Sequence, residues 1–342
     1  MLSAGAQHTV LLNDAGEVAT LGGGEYGQLG LDEVTECVLP QIIPNLPTII
    51  AVSAGWSHTA CLSSMGEVYC WGRNNHGQLG NGTQQNCFTP TPVADGMPAI
   101  QSVSCGSFHT LCLAQDGSVW TFGINSYGQL GLGHVSWHQT IPQMVEDICA
   151  VQIDAGEYHS ALIDTSGKLF TVGGNSCGQL GHDTHLECSI FRHVPLDEEV
   201  AQVSCGGEFT AIRTVTGVVW TTGNNNSNQL GHTSKTPMDR FRPVVSLPTI
   251  QQIACGGVHV LLVDDEKLAY GMGGNPYGEI GERSAFHVNP FSVMIENARC
   301  VVAGISNSFI LDDEGRVFVC GNNQCGQLGV GHTHKVKKKA SL

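Results

Sequence analysis

The tetrapeptide Gly-Gln-Leu-Gly decides the fold, because it recurs along the whole chain. It stands at Gly27–Gly30, Gly77–Gly80, Gly128–Gly131, Gly178–Gly181 and Gly326–Gly329, with the variants Asn228–Gly231 and Gly278–Gly281. Successive copies are 48 to 51 residues apart, so seven units fill the 342 residues. A constant period of about 50 residues indicates a repeat architecture in which each unit is one supersecondary element.

A second motif, Gly-x-x-His-Thr, runs in the same phase as the first. It is found at Gly5–Thr9, Gly55–Thr59, Gly106–Thr110 and Gly156–Ser160, and in weaker form at Gly206–Thr210, Gly256–Val260 and Gly304–Ser308. Between the two motifs lie a turn and an apolar stretch that ends in glycine, such as Val119–Gly123. Alternating apolar positions, β-branched residues and punctuation by Gly, Asn and Asp predict strands rather than helices.

We predict an all-β fold, a seven-bladed β-propeller with about four antiparallel strands in each blade. Closure of the ring removes the exposed sheet edges that recruit other chains, whereas a linear solenoid needs capping repeats, and none is evident. Residues 1–334 form a single propeller in this prediction. Residues 335–342 are either a basic C-terminal tail or the closing outer strand of the last blade, and both alternatives stay open.

The charge pattern disfavours two kinds of partner. The net charge is −15, although Lys335 and Lys337–Lys339 already supply four of the 15 basic residues. So acidic a body repels nucleic-acid phosphates and anionic membrane surfaces. No run of 18 apolar residues predicts a membrane span. We therefore expect a protein partner, with no direct nucleic-acid or membrane contact, and a monomeric chain.

The cysteines and the N-terminal residues indicate the cellular compartment in which the protein is expected. The chain has 14 cysteines but no basic region followed by an apolar core near Met1, so we expect reduced thiols in a cytoplasmic and/or nuclear protein. The lysine run at 335–339 resembles a short nuclear-import signal, although lysines at a sheet edge also discourage strand addition. No Cys-x-x-Cys pair exists, and we expect no metal and no cofactor.

The two motifs in their seven-fold pairing closely resemble the regulator of chromosome condensation repeat family, and the resemblance covers essentially the whole chain. It implies a seven-bladed propeller. It does not fix a function, because members of that family include a Ran exchange factor, ubiquitin-ligase recognition modules, a plant ultraviolet-B photoreceptor and a bacterial β-lactamase inhibitor. The photoreceptor pattern of Gly-Trp-x-His-Thr on neighbouring blades is present here only at Gly55–Thr59.

Residues that recur in most units are expected to serve the blade, and residues that vary inside that frame are free for function. The recurring histidines are therefore predicted to be structural, hydrogen-bonding to backbone within or between blades; they are His8, His58, His109, His159 and His259. The Gln-Leu pair is predicted to be structural as well, with the leucine buried and the glutamine bonded to loop backbone. Hydrolase chemistry has no motif in its favour.

The variable residues of two loops form the candidate site. In an up-and-down blade, the loop between strands one and two and the loop between strands three and four emerge on the same face. On blades one to five these loops carry Tyr26, Trp56, His76, Phe108, Tyr127, Glu157, Tyr158 and Glu208. Aromatic residues with a few charges are typical of protein-interaction hot spots, although such rings also cover the ends of blades.

The sequence thus favours a non-enzymatic protein-interaction propeller that binds its partner through the loop face of blades one to four. Such a propeller serves, for example, as a recognition module of a ubiquitin ligase or signalling assembly. The alternative is a guanine-nucleotide exchange factor for a Ran-like or other small GTPase. The resemblance implies Glu157, Glu208, His8 and His159 as its acting residues. The constant spacing leaves no room for the inserted wedge of the Ran exchange factor, which counts against this alternative.

Overall fold

The computed structural model describes residues 1–281 and 288–341, and these residues form seven four-stranded antiparallel sheets. Within each sheet the four strands are consecutive in the chain and pair with their neighbours in sequence. This confirms the predicted all-β, seven-bladed propeller. Within this part of the chain no helix is long and apolar enough to cross a membrane.

In each repeat the first strand lies nearest the centre of the ring, and the second, third and fourth strands follow outwards. Blades one to four comprise β1 (Leu2–Ala4), β2 (His8–Leu12), β3 (Val18–Gly23), β4 (Glu36–Ile42), β5 (Ile49–Ala54), β6 (His58–Ser63), β7 (Val68–Gly72), β8 (Cys87–Pro92), β9 (Ile100–Cys105), β10 (His109–Ala114), β11 (Val119–Asn125), β12 (Ser136–Met144), β13 (Ala150–Ala155), β14 (His159–Asp164), β15 (Leu169–Gly173) and β16 (Cys188–His193). Blades five to seven comprise β17 (Val200–Cys205), β18 (Phe209–Thr214), β19 (Val219–Gly223), β20 (Met238–Pro243), β21 (Ile250–Cys255), β22 (His259–Asp264), β23 (Ala269–Gly273), β24 (Val288–Ile295), β25 (Ala298–Ala303), β26 (Asn307–Asp312), β27 (Val317–Gly321) and β28 (Val336–Ser341).

The hydrophobic core lies between the blades rather than within any one sheet. Between blades two and three, for example, Leu62 and Leu79 pack with Ile100 and Phe122, and all four side chains are buried. Corresponding clusters join each of the other neighbouring pairs, including blade seven with blade one. Each blade therefore buries an apolar face that it would expose alone, and this burial is the main stabilising contribution to the ring.

At five of the seven junctions a motif histidine joins one blade to the next through a contact that we call the blade latch. In each latch the imidazole Nε2 lies within hydrogen-bond distance of a hydroxyl oxygen on the following blade. The pairs are His8–Thr59 (2.9 Å), His58–Thr110 (3.0 Å), His109–Ser160 (2.8 Å), His159–Thr210 (2.9 Å) and His259–Ser308 (2.9 Å). The predicted structural role of these histidines is confirmed, but the predicted backbone partner was wrong, because the partner is a side-chain hydroxyl.

The protonation state of the latch follows from the second bond that the hydroxyl makes. Thr110 Oγ1 donates its proton to the main-chain carbonyl of Gln78 at 2.9 Å, and Thr59 donates likewise to Gln28. A hydroxyl has one proton, so its oxygen accepts from the imidazole, which carries its own proton on Nε2. The first glycine of the motif makes room for the ring, since a Cβ on Gly55 would lie 2.4 Å from His58 Cε1.

Two junctions depart from this pattern. Between blades five and six both partners are apolar, because Phe209 replaces the histidine and Val260 replaces the hydroxyl residue; the two pack together in one buried cluster. Between blades seven and one, Asn307 replaces the histidine. Its side-chain amide is buried and has no hydrogen-bond partner among the described residues. The first junction has exchanged a polar pair for an apolar one, whereas the second has lost the latch.

Blade seven ends in an outer strand that completes its four-stranded sheet. Strand β28 pairs antiparallel with β27, and its Val336 lies opposite Gly321. The side chains of the predicted lysine run from Lys337 to Lys339, and all of Leu342, lie outside the described residues. Across the junction with blade one, Thr9 Oγ1 donates a hydrogen bond to the Gln327 carbonyl at 2.7 Å.

Burial controls the ionisation of the latch. Complete desolvation lowers the pKa of His8, His159 and His259 to about 4, and that of His58 and His109 to about 3. The neutral imidazoles can therefore serve as Nε2–H donors throughout the neutral range. The pKa values of two acids are shifted upwards. Desolvation raises the pKa of Asp154 to about 6 and that of Glu279 to about 7; Glu279 replaces the motif glutamine in blade six.

Replacing Thr110 with valine is expected to destabilise the propeller by about 1–2 kcal/mol, because it leaves the His58 Nε2–H in the core without an acceptor. Adding His58→Phe recreates the natural Phe209–Val260 pair and should recover part of that loss. We expect the two substitutions to be non-additive by about 1 kcal/mol. Urea unfolding of both single variants and the double variant measures this coupling, and strictly additive losses would contradict the latch.

The propeller is expected to lose stability as the pH falls from about 6.5 towards 4. The five folded-state histidine pKa values lie below the unfolded value near 6.5, so unfolding takes up protons in this window, and each histidine contributes up to about 3 kcal/mol. Asp154 and Glu279, whose pKa values are raised in the folded state, stabilise the fold as the pH falls, but these two acids are outnumbered by the five histidines. Urea unfolding at a series of pH values tests this, and the His58→Phe/Thr110→Val variant should show a shallower slope. Constant stability across the window would refute the expectation.

Candidate protein-binding face

The loop between strands one and two is a tight turn closed by backbone. In blade three the amide of Gly106 donates to the carbonyl of His109 at 2.9 Å, and the same bond recurs in all seven blades. A second backbone bond, from Ile124 N to the Phe108 carbonyl at 2.9 Å, ties the turn to the end of strand three. The two residues before the histidine position, such as Ser107 and Phe108, therefore project from a rigid turn at the end of the blade.

The loop between strands three and four is held by the recurring glutamine and asparagine. Gln78 Oε1 accepts a hydrogen bond from the amide of His76 at 2.9 Å, and Gln129 does the same for Tyr127 at 3.0 Å. Asn125 Oδ1 accepts from the amide of Leu130 at 3.1 Å. The prediction that the motif glutamine bonds loop backbone is confirmed. Its consequence is that the variable residue two positions earlier is held in a fixed place.

The predicted aromatic residues form one continuous cluster across blades two to four. The rings of Trp56 and Phe108 are stacked, with centroids 6.0 Å apart and planes 16° apart. His76 meets Phe108 edge-on at 5.5 Å, and Phe108 lies 6.2 Å from Tyr158. Tyr158 in turn meets Tyr127 at 5.2 Å with an interplanar angle of 62°. The structure thus brings together five of the predicted residues from three blades, with Phe108 at their centre.

Tyr26 of blade one joins this cluster through Arg73, which is not among the predicted site residues. The guanidinium of Arg73 lies over the Tyr26 ring at 4.9 Å and over the Phe108 ring at 5.4 Å. A cation over an aromatic face is attracted by the ring quadrupole. Arg73 lies in a variable loop slot, but no sequence signal shows that two rings from different blades flank it.

Glu157 and Glu208 form the acidic end of the face, on blades four and five. Both are half-buried. Desolvation, with a smaller contribution from the charge of Glu208, raises the pKa of Glu157. Asn224 Nδ2 donates to Glu208 Oε2 at 2.9 Å. Desolvation and the charge of Glu208 also raise the pKa of Cys177, which lies close by.

A central cavity of about 290 Å³ lies along the axis of the ring, lined mainly by the innermost strands of all seven blades. Trp56 and Glu157 belong to its lining, so the cavity adjoins both the aromatic cluster and the acidic end. Asp154 and Glu157 are its only charged lining residues among the described part of the chain. Asp154 is held by Ser104 Oγ at 3.0 Å and by the amide of Cys205 at 2.6 Å.

The two histidines implied for an exchange role lie away from this surface. His8 and His159 have no exposed surface, and each is engaged in a blade latch. Glu157 and Glu208 remain on the face. No group of three or more potential metal ligands occurs among residues 1–281 and 288–341.

A closed ring of seven repeats with a variable loop face defines a class of propeller scaffolds. The RCC1-like domain matches residues 1–189, more than half of the chain. The regulator of chromosome condensation (RCC1) repeat matches residues 200–229, 216–263 and 298–327. The chain belongs to the RCC1-like domain family.

Two relatives each match 43% of the chain. The chain is 46% identical over 150 residues to the X-linked retinitis pigmentosa GTPase regulator of Canis lupus familiaris, covering 43% of this chain and 15% of that protein. It is 44% identical over 149 residues to the probable E3 ubiquitin-protein ligase HERC4 of Rattus norvegicus, covering 43% of this chain and 14% of that protein. The matched segments thus span well under a quarter of either relative.

Solved structures show the same fold at low sequence identity. Human WBSCR16 superposes with a TM-score of 0.88 at 21% identity, covering 95% of this chain and 93% of that one. Prp20p from Saccharomyces cerevisiae superposes with a TM-score of 0.87 at 21% identity, covering 97% and 87%. These likenesses agree with the propeller and its seven blades.

Removing the charge of Glu208 is expected to lower the pKa of Glu157, since the neighbouring carboxylate contributes to raising it. Titration of the Glu157 side-chain carboxyl by carbon NMR, in the wild type and in Glu208→Gln, measures the change. Glu146→Gln, an exposed loop position on the opposite face, is the control and should leave the Glu157 titration unchanged. An unaltered Glu157 pKa in Glu208→Gln would show that the two carboxylates do not interact.

Proposed function

We propose that this propeller is a non-catalytic protein-interaction module that binds its partner through the loop face of blades one to four. The observation that carries the proposal is the continuous cluster of half-exposed rings centred on Phe108, held on turns that the blade framework makes rigid. Aromatic residues and arginine dominate the binding energy of protein interfaces. A rigid aromatic surface also loses little conformational entropy when a partner binds.

The form of the face supports a protein rather than a small ligand. The rings of Trp56, Phe108, Tyr158 and Tyr127 extend across three blades instead of enclosing a pocket, and Tyr127 remains 39% exposed. The relatives support this proposal, because the segments that match this chain make up only 15% and 14% of two of those proteins. A recognition module within a ubiquitin ligase or a signalling assembly is one such setting.

Exchange of guanine nucleotides on a small GTPase is the second candidate. Glu157 and Glu208, two of the four residues implied for that role, are on the face. The relative from Canis lupus familiaris is named a GTPase regulator, and the structure of Prp20p was described with its binding properties to Gsp1p and histones. The burial of His8 and His159 leaves this candidate without its histidines and places it second.

A Trp56→Ala/Tyr127→Ala/Tyr158→Ala variant is expected to lose at least about 90% of specific partner capture, because it removes three neighbouring rings of the proposed hot spot. Capture from a lysate of the source cells, quantified by mass spectrometry, compares the variant with the wild type. The matched control is Met65→Ala/Val215→Ala/Val245→Ala, which truncates three exposed apolar side chains in loops on the opposite face.

Circular dichroism and thermal unfolding verify that both triple variants remain folded. Equal capture by the wild type and the folded aromatic variant would move the binding site elsewhere. A loss seen equally in both variants would show a nonspecific effect. For the exchange alternative, a panel of GDP-loaded small GTPases is mixed with the propeller and nucleotide release is timed. Acceleration that Glu157→Gln/Glu208→Gln abolishes would favour exchange over simple binding.

A further inference from the structure

The binding face has a cationic end and an acidic end. At the cationic end Arg73 already lies over the rings of Tyr26 and Phe108, at 4.9 Å and 5.4 Å. The ring surfaces of blades one to three are thus partly occupied by a guanidinium of the chain itself. This contact also shows that a guanidinium fits against rings presented by these loops.

The acidic end has no such cation among the residues that the structure describes. The charges that act on Glu157 and Tyr158 come from Glu208, Glu157 and the Tyr127 phenol, all acidic groups. The ion pairs of the described residues lie elsewhere, and none includes Glu157 or Glu208. The adjoining cavity adds Asp154 and contains no lysine or arginine in its lining. Among residues 1–281 and 288–341, these two half-buried carboxylates therefore face a region without a compensating charge.

Two aromatic rings stand beside these carboxylates. Tyr158 follows Glu157 directly in the same turn. The ring centroids of Tyr127 and Tyr158 are 5.2 Å apart, and the two ring planes are inclined at 62°. Rings that meet at a steep angle present two surfaces to one side chain, and aromatic surfaces beside carboxylates are favourable for an ammonium or guanidinium group. Tyr127 and Tyr158 make no contact with a cation in the described structure, in contrast to Tyr26 and Phe108.

We propose that the corner formed by Tyr127, Tyr158, Glu157 and Glu208 binds a cationic side chain, arginine or lysine, on an exposed segment of the partner protein. The inference rests on the proposed interaction function and specifies the chemistry of its partner. Charge complementarity selects this occupant, because the described residues of the corner and of the adjoining cavity supply only negative charge. A basic segment also associates faster with a chain whose net charge is −15.

The test uses random dodecapeptides displayed on phage, selected on the immobilised full chain and counter-selected on the Trp56→Ala/Tyr127→Ala/Tyr158→Ala variant. The peptides that depend on the face are expected to share an arginine or lysine. Their synthetic forms should bind Glu157→Gln/Glu208→Gln at least about tenfold more weakly than the wild type. Replacing the shared basic residue with norleucine should cause a loss of similar size.

The matched control is Glu146→Gln/Glu296→Gln, which removes the same charge at exposed loop positions on the opposite face and should leave affinity within about twofold. If this control lost as much affinity as Glu157→Gln/Glu208→Gln, the effect would come from net charge alone and the proposal would be overturned. Face-dependent peptides without a basic residue, bound equally by Glu157→Gln/Glu208→Gln, would also overturn it while the interaction function stands. If no selected peptide depends on the face, both the proposed cation-binding corner and the proposed interaction function are contradicted.

Discussion

A buried hydrogen bond from an imidazole to a hydroxyl on the next blade is the interaction on which the arrangement of this ring depends. It ties three points together, since His58 of blade two donates to Thr110 of blade three, and Thr110 donates back to the carbonyl of Gln78 in blade two. Apolar packing supplies most of the stability but is not directional. The latch is directional, and at five of the seven junctions it sets the position of one blade relative to the next.

The same residues that join the blades also position the binding face. The latch histidine ends the turn that carries Phe108 and Tyr158, and the motif glutamine holds the loop that carries His76 and Tyr127. Contacts between rings of different blades therefore require blades in a fixed relation. This is why an otherwise uniform scaffold can present an irregular surface: the frame repeats, while two residues in each loop are free to vary. Within one motif, the recurring residues therefore stabilise the blades, and the variable residues are free to contact a partner.

Much of the fold was accessible from the sequence because seven copies of a motif reveal which residues serve the frame. The candidate residues followed from the same comparison, and the structure brings five of them into one cluster. The latch acceptor was missed because it lies about 51 residues away, on another blade. A signal did exist, since Phe209 and Val260 abandon the polar motif at two matching positions. Arg73 was missed for a different reason: the contact of a cation with two rings depends on distances across blades that no pattern encodes.

The junction between blades seven and one has a consequence for how the ring moves. Among the described residues the Asn307 side chain makes no hydrogen bond across it, so this junction keeps the bond from Thr9 Oγ1 to the Gln327 carbonyl at 2.7 Å but has no histidine latch. Local opening of a folded domain begins where the stabilising contacts are fewest. Breathing of this domain would begin at that joint, and the rings on blades two to four, on the far side, would keep their shape while it opens.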